Sequence, residues 1–281
     1  MGDNAGVPDS LWKALFEWSI LQQDGTTAST SQSTAAPISD TDRAWLEEAL
    51  ASGIVDLSKQ LVEIKEQLEK GLPASASEDA VARDEEHKAR LLDELLDLVE
   101  SIDQAKDLST IGGLSTLLHV IAGGAPGLQW RACEVIATCA QNNPSVQESF
   151  FRDGVMPSIW GLLSSDDATC RLKALLAVSC MLRGSAEVRG WWSAQDGVGK
   201  VVDLVAHDKE NNRIVRKCLQ ILNYVADDPT AQDREQLVAH GPEIEEILVR
   251  TVSTAEDHDV EMAAIELGKS LGMQNLFKNV S

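Results

Sequence analysis

The sequence has few tyrosines and phenylalanines, whereas Ala and Leu abound. It contains one Tyr and four Phe among 281 residues, although 43% of the residues are hydrophobic. Aromatic and β-branched side chains are enriched in strands, whereas Ala and Leu favour helices. The composition therefore predicts an all-α protein, and the length allows a sizeable core in one or two domains.

Positive charge is also scarce. Only 24 Lys and Arg residues stand against 45 Asp and Glu residues, which gives a formal net charge of −21. Nucleic acid and anionic membranes would repel such a chain, so neither is an expected partner. A partner with a basic or mixed surface patch is expected instead.

Long hydrophobic runs and sorting signals are missing. The longest apolar run, residues 172–182, contains Lys173 and is too short to span a bilayer. The N-terminal residues do not have the shape of a signal peptide, and residues 277–281 match no retention or lipidation signal. These features predict a cytoplasmic protein.

No residue pattern predicts a catalytic, metal or cofactor site. The five cysteines form no Cys-x-x-Cys pair and lie in apolar helical patterns, which is typical of reduced core residues. The histidines lack the spacing of metal ligands. Gly197-Val198-Gly199-Lys200 resembles a phosphate loop only in part. We therefore expect a protein that is not an enzyme; an enzyme using a buried cysteine is the alternative from another class.

The first part of the chain predicts an extension and a helical cap. The sequence predicts an amphipathic helix over residues 9–22 and a flexible Ser/Thr/Ala-rich linker over residues 26–38. That helix either docks on the body of the protein or binds a partner. We expect helices with one low-complexity break over residues 39–110, followed by repeats over residues 111–281.

Two independent markers reveal the internal repeats. The first, a basic or acidic residue on a long helix, recurs at intervals of 42, 44 and 44 residues through Arg131, Lys173, Lys217 and Glu261. The second, a glycine between helices, recurs at intervals of 41, 43 and 44 residues through Gly113, Gly154, Gly197 and Gly241. A period near 40 to 47 residues with two or three helices is typical of armadillo and HEAT repeats. The chain therefore predicts an armadillo-like helical repeat solenoid.

Each repeat is expected to contain a short helix, a glycine turn, a second helix and a longer third helix. In the second unit these elements are predicted at residues 145–151, Gly154, residues 155–163 and residues 167–182. The glycine is the expected left-handed residue of the turn. The clearest third helix is residues 130–144, which ends at Pro144 because proline cannot continue a helix.

Arg131, Lys173 and Lys217, here called the cation row, share one position on successive third helices. Equivalent positions in a solenoid line up on one surface, usually the concave one. The row is either a partner-binding groove or a set of ion pairs with adjacent acidic helices. Glu261 is expected to end the row. Neighbouring positions extend the polar face: Glu134, Thr138, Asn142, Asn143, Arg213, Gln220 and Tyr224.

Three segments resemble the armadillo-type nucleotide exchange factors of 70-kDa heat-shock chaperones, the Hsp-binding-protein/Fes family. They are residues 14–20 (ALFEWSI), residues 98–118 (containing ESIDQAKDLSTIGGL) and residues 139–148 (CAQNNPSVQE). Residues 38–50 resemble the plant or algal branch. The resemblance covers residues 90–195 strongly and weakens after residue 225.

The resemblance implies a monomer whose solenoid embraces one lobe of the chaperone's ATPase domain, loosens ADP and so releases the client. It places Ala105 at the entrance of the groove, where a bulky side chain should obstruct docking, while Arg183 matches the family although its neighbours differ. An armadillo adaptor that holds an extended peptide without exchange activity is the alternative. The expected partner-binding residues are Asp103, Gln104, Ala105, Arg131, Glu134, Thr138, Asn142, Asn143, Lys173, Arg183, Arg213 and Lys217.

Overall fold

The computed structural model describes residues 57–279, with side chains to residue 276. These residues belong to one compact unit, Val55–Ser281. The predicted helix over residues 9–22, the linker over residues 26–38 and the start of the cap lie outside the described residues. Within the described part every regular element is a helix, which confirms the all-α prediction.

The described residues contain fourteen α-helices and a final 3-10 helix, Gln274–Asn279, joined by turns and short loops. The α-helices are α1 Leu57–Glu69, α2 Glu78–Val99, α3 Ile102–Thr110, α4 Gly113–Gly123, α5 Pro126–Ala140, α6 Pro144–Arg152, α7 Val155–Leu162, α8 Ala168–Leu182, α9 Ala186–Ala194, α10 Gly197–His207, α11 Asn212–Asp227, α12 Ala231–Ala239, α13 Gly241–Thr254 and α14 His258–Ser270.

Helices α3 to α14 form four units of three helices each. The second unit has a short helix α6, Gly154, a second helix α7 and a long helix α8, as the sequence predicts. Helix α3 occupies the same place in the first unit that α6 has in the second. We therefore start the repeats at Ile102 instead of residue 111.

The long third helices pack side by side in chain order. Helix α2 packs on α5, α5 on α8, α8 on α11 and α11 on α14. Three small side chains at equivalent positions, Ala132, Ala174 and Cys218, are fully buried between them. Small residues at these positions let neighbouring third helices approach closely.

The fourth unit follows a register one residue later than the sequence alignment predicts. Met262, which the alignment places beside Cys218, is 45% exposed, whereas Ala263 and Ala264 are buried. Met262 and not Glu261 therefore occupies the position of Lys217 on the third helix. The sequence alignment was ambiguous here, because Met262, Ala263 and Ala264 are all apolar and fit either register.

The turn glycines have two different roles. Gly154 adopts the predicted left-handed conformation with φ of 83°. In the first unit Gly112 (φ 76°) takes it and in the third Asp196 (φ 52°), whereas in the fourth His240 precedes Gly241 with φ of −94°. Gly197 is instead required by packing, because a Cβ atom there would lie 2.0 Å from Cε2 of Trp192. The prediction that all four marker glycines are left-handed is therefore wrong for three of them.

Three tryptophans pack together beside this turn. The rings of Trp191 and Trp192 meet the ring of Trp160 edge-on, with centroids 5.5 and 5.4 Å away. Trp192 is fully buried and Trp191 is half-buried against the core. Both tryptophans of the Trp191-Trp192 pair therefore contribute to packing between the second and third units.

Candidate functional site

The third helices bring Arg131, the first member of the cation row, against the acidic helix α2. Its Nε atom donates to Oδ1 of Asp93 at 2.7 Å, and its Nη1 atom donates to the Gly127 carbonyl at 2.8 Å. The guanidinium carbon also lies 4.1 Å from the ring centroid of Trp130. The positive charge of Arg131 is therefore balanced within the protein.

Lys173 is balanced in the same way. Its ammonium group donates to Oε1 of Glu134 on the preceding third helix at 2.5 Å. Two members of the row thus follow the ion-pair alternative. Glu134, predicted as a partner contact in its own right, is the acidic half of this pair.

Lys217 differs from both. It is half-buried on α11, and no carboxylate among residues 57–276 lies within ion-pair distance of it. Burial lowers the pKa of its ammonium group and the charges of Arg183 and Arg216 lower it further, while Cys180 acts in the opposite direction. A cation in these surroundings gains from a carboxylate brought by another molecule.

Two exposed arginines extend this positive surface. Arg183 caps the end of α8 and lies close enough to Lys217 to affect its pKa, and Arg213 lies one helical turn before Lys217 on α11. Neither has an ion-pair partner in the described part of the chain. We call Arg213 and Lys217, together with Arg183 at the junction of the second and third units, the third-unit cations.

The residues expected at the groove entrance divide by exposure. Asp103 is exposed and Gln104 half-buried, but Ala105 is 1% exposed inside α3. Ala105, expected at the groove entrance, does not lie at the surface of this structure, because the hydrophobic spacing of α3 turns it into the core; a contact with a partner stays a prediction. Its burial also changes what a bulky substitution at this position would test.

The Asn142-Asn143 pair divides as well. Asn142 is exposed with φ of 53°, whereas Asn143 is 3% exposed and precedes α6 with an extended φ of −127°. Oδ1 of Asn143 accepts a hydrogen bond from Ser145 Oγ at 3.0 Å. Asn143 thus orders the start of α6, while Asn142 and the half-buried Thr138 remain accessible.

The thiols do not support nucleophilic chemistry. All five cysteines are free, and burial raises the pKa of Cys133 and Cys139 to about 12 and that of Cys170 to about 11. Such thiols are protonated near neutral pH and therefore poor nucleophiles. Over residues 57–276, no three His, Cys, Asp or Glu side chains are grouped as metal ligands.

Two other features predicted from the sequence concern a glycine-rich segment and membrane spans. The Gly197-Val198-Gly199-Lys200 segment is the first turn of helix α10 and follows the turn between two helices of the third unit. This is the place that the glycine register predicts. None of the described helices is long and apolar enough to cross a bilayer.

Two family models match the sequence. The model "SIL1/FES1/HPBP1 C-terminal domain" matches residues 104–246, and the model "Nucleotide exchange factor Fes1" matches residues 12–108. The first match covers the first three repeat units except residues 102 and 103, and it includes the whole cation row. Together the two models span most of the chain.

Curated relatives carry consistent names. Hsp70-binding protein 1 of Mus musculus is 34% identical over 152 residues, which are 52% of this chain and 43% of the mouse protein. Hsp70 nucleotide exchange factor FES1 of Yarrowia lipolytica is 28% identical over 57% of this chain and 56% of its own length. The match therefore spans less than half of the mouse protein. The plant or algal branch stays a prediction, because these relatives come from an animal and a yeast.

Solved structures with a similar fold are armadillo repeat proteins. A designed armadillo repeat protein superposes with a TM-score of 0.62 at 15% identity, covering 77% of this chain and 87% of its own. A second designed armadillo protein, solved in complex with the peptide (KR)4, gives a TM-score of 0.61 at 16% identity over 80% and 87% of the two chains.

The structural likeness establishes the armadillo-like fold, and the sequence matches establish kinship. The domain model that includes the third-helix surface covers more than half of the 281 residues. The chain belongs to the SIL1/FES1/HPBP1 family.

Proposed function

We propose that this chain is a nucleotide exchange factor that binds the ATPase domain of a 70-kDa heat-shock chaperone and promotes release of ADP and then of the client. Family membership supports the exchange activity. The observation that carries the binding site is the group of third-unit cations, which has no internal carboxylate in the described structure although the chain is strongly acidic.

The charges favour an acidic patch on the partner. Arg183 and Lys217 repel each other in the free protein, and this repulsion is relieved when a carboxylate approaches both. Arg213 adds a third charge on the same face of α11. The remaining surface is predominantly acidic, so the third-unit cations direct an acidic patch to one place on the solenoid.

Exchange needs no catalytic group on this chain. A factor that binds an opened ATPase lobe better than a closed lobe shifts the population towards the opened form by its difference in binding free energy. A preference of about 1.4 kcal/mol changes the ratio of the two forms tenfold. The opened lobe then holds ADP less tightly. The role of this chain is to provide a rigid surface complementary to the opened form.

We further infer a monomer that works in the cytoplasm without a metal or cofactor. The five free cysteines fit a reducing compartment. The packed third helices form a continuous core that needs no second copy for its burial.

The experiment is an ADP-release assay with a purified 70-kDa chaperone loaded with fluorescent ADP. We expect a small molar fraction of this protein to accelerate release over many chaperone molecules. Binding without acceleration would assign the chain to the peptide-adaptor alternative, and absence of both binding and acceleration would overturn the proposal.

A further inference from the structure

Tyr224 occupies a special place beside the third-unit cations. It is the single tyrosine of the sequence and lies half-buried on α11. Its ring centroid is 5.2 Å from the guanidinium carbon of Arg183 and 5.1 Å from that of Arg189. Its hydroxyl donates to the Leu182 carbonyl at 3.3 Å, so the ring is tied to the end of α8. One aromatic ring therefore contacts two cations from different helices.

Arg189 is fixed in the interior. It is 8% exposed, and its Nη2 atom donates to Oδ2 of Asp233 and to the Asp228 carbonyl, both at 2.9 Å. Asp233 is fully buried and also accepts a bond from Ser193 Oγ at 2.6 Å. The Arg189 side of the ring is thus attached to α12, the first helix of the fourth unit.

Arg183 lacks any comparable anchor. It is exposed, follows the last residue of α8 and precedes Gly184, and no hydrogen bond or ion pair holds it in the described part of the chain. Its charge lowers the pKa of Lys217, so like charges oppose this placement of the guanidinium, and movement into solvent away from Lys217 competes with it. The Tyr224 ring is the group that opposes this movement, because a cation is attracted to an aromatic face.

We propose that Tyr224 is a positioning residue that holds the guanidinium of Arg183 beside Lys217, so that both cations receive the same carboxylate of the partner. The Arg189–Asp233 pair orients the ring from behind. This inference rests on the proposed function, since it names the geometry by which that surface recognises an acidic patch. It also gives the fourth unit, which contributes no cation to the row, a part in partner binding.

The test is a double-mutant cycle on binding to the chaperone ATPase domain. We expect Tyr224→Leu to raise Kd about two- to fivefold, the range of an exposed cation–π contact. Tyr224→Phe keeps the ring and should restore nearly all of the affinity. In an Arg183→Ala background, Tyr224→Leu should have almost no further effect, because its target is gone.

Equal losses from Tyr224→Leu in both backgrounds would overturn the proposal, because a structural role does not depend on Arg183. Urea unfolding of each variant shows whether a loss of affinity comes from lower stability. If Tyr224→Leu is unstable, the longer side chain of Tyr224→Met replaces it in the cycle.

A second measurement on the free protein separates this inference from the proposed function. Nitrogen-15 relaxation of the Arg183 Nε–H group should report a restrained side chain in the wild type and in Tyr224→Phe, and a mobile one in Tyr224→Leu. Equal mobility in all three would overturn the positioning role even if the protein accelerates ADP release. If the wild type fails in the release assay while Arg183 is restrained, only the proposed function is lost.

Discussion

Arg171 and Asp208 form a buried ion pair between the second and third units. Nε of Arg171 donates to Oδ2 of Asp208 at 2.7 Å, and a second contact joins Nη2 to Oδ1. Their side chains are 7% and 6% exposed. Arg171 also donates to the carbonyls of Ser165 and Asp166 in its own unit. This pair therefore fixes the start of α8 to the end of α10.

Removing one partner should be more harmful than removing both. Asp208→Asn leaves a buried guanidinium without its counter-charge, and we expect it to reduce the free energy of unfolding by about 3–5 kcal/mol. The double variant Arg171→Met/Asp208→Leu removes both charges and should lose clearly less. Urea unfolding followed by circular dichroism measures both. A double variant as unstable as Asp208→Asn would contradict the expected cost of the unpaired charge.

The Arg171–Asp208 pair should make the free energy of unfolding depend on pH. Burial alone would raise the pKa of Asp208, but the hydrogen bonds from Arg171 and His207 outweigh it and leave the pKa below its usual value. A carboxyl whose folded pKa is depressed stabilises the protein fully above its unfolded pKa of about 3.9 and loses this contribution as the pH falls towards the folded value. Urea unfolding between pH 7 and pH 3 should therefore show a decline that is shallower in Arg171→Met/Asp208→Leu. Parallel curves would refute the contribution of this pair.

Gly197 should not accept a methyl group. Its substitution by alanine pushes a Cβ atom against the buried ring of Trp192, and overpacking of this kind costs about 1–3 kcal/mol. Gly190→Ala in α9 is the matched control, since a Cβ atom at that position would meet nothing within 4 Å, and it should stabilise by about 0.5–1 kcal/mol. Thermal unfolding of both variants decides. A stable Gly197→Ala protein would mean that Trp192 can shift.

Ala105→Arg should unfold the first unit instead of acting only on docking. The variant places a charge where the wild-type side chain is 1% exposed, and an uncompensated buried charge costs about 3–5 kcal/mol. Asp103→Lys, at an exposed position in the first turn of α3, should cost at most about 1 kcal/mol. Because the Asp103→Lys protein should stay folded, a change in its chaperone binding would report on the groove entrance itself. Full stability of Ala105→Arg, measured in urea, would show that this helix can open.

Lys217 should matter more for binding than Lys209, an exposed lysine outside the cation row. Lys217→Ala removes a cation that has no internal carboxylate in the described structure, and we expect Kd for the ATPase domain to rise about tenfold, as for a lost charged hydrogen bond. Lys209→Ala removes the same charge from an exposed loop of the same unit and should change Kd less than about twofold. Titrations at two salt concentrations should also reveal a weaker salt dependence for Lys217→Ala. Equal Kd values for the two variants would return Lys217 to a structural role.

Helical periodicity predicts the architecture because it depends on burial alone. The second unit of the structure follows the expected order, since its apolar stripes and Gly154 are local features. The register of the fourth unit failed at Met262, where a short apolar stretch allows two alignments. The surface position expected for Ala105 failed for a related reason: the family resemblance of a short motif outweighed the apolar spacing of the helix that contains it.

The charge pairing of the row needs tertiary information. Lys173 and Lys217 have the same repeat position, yet only Lys173 has a carboxylate opposite, because Glu134 is replaced in the next unit by Leu176. The repeat alignment contained this difference between Glu134 and Leu176. Which preceding residue faces each lysine became known only from the packing of α5, α8 and α11. The link from Tyr224 through Arg189 to Asp233 has no local sequence signal at all.

The change from paired cations at one end of the row to an unpaired cation at the other gives the row a direction. Near α5 each positive charge is cancelled at a distance of a few ångströms, so it has little influence beyond the surface. Arg183, Arg213 and Lys217 have no ion-pair partner among the described residues, so their attraction reaches further into solvent. We therefore expect an acidic partner that diffuses towards this face to be attracted first to the third-unit cations. Contacts are then expected to form from that end of the stack first, because the cations at the other end, Arg131 and Lys173, already have internal partners.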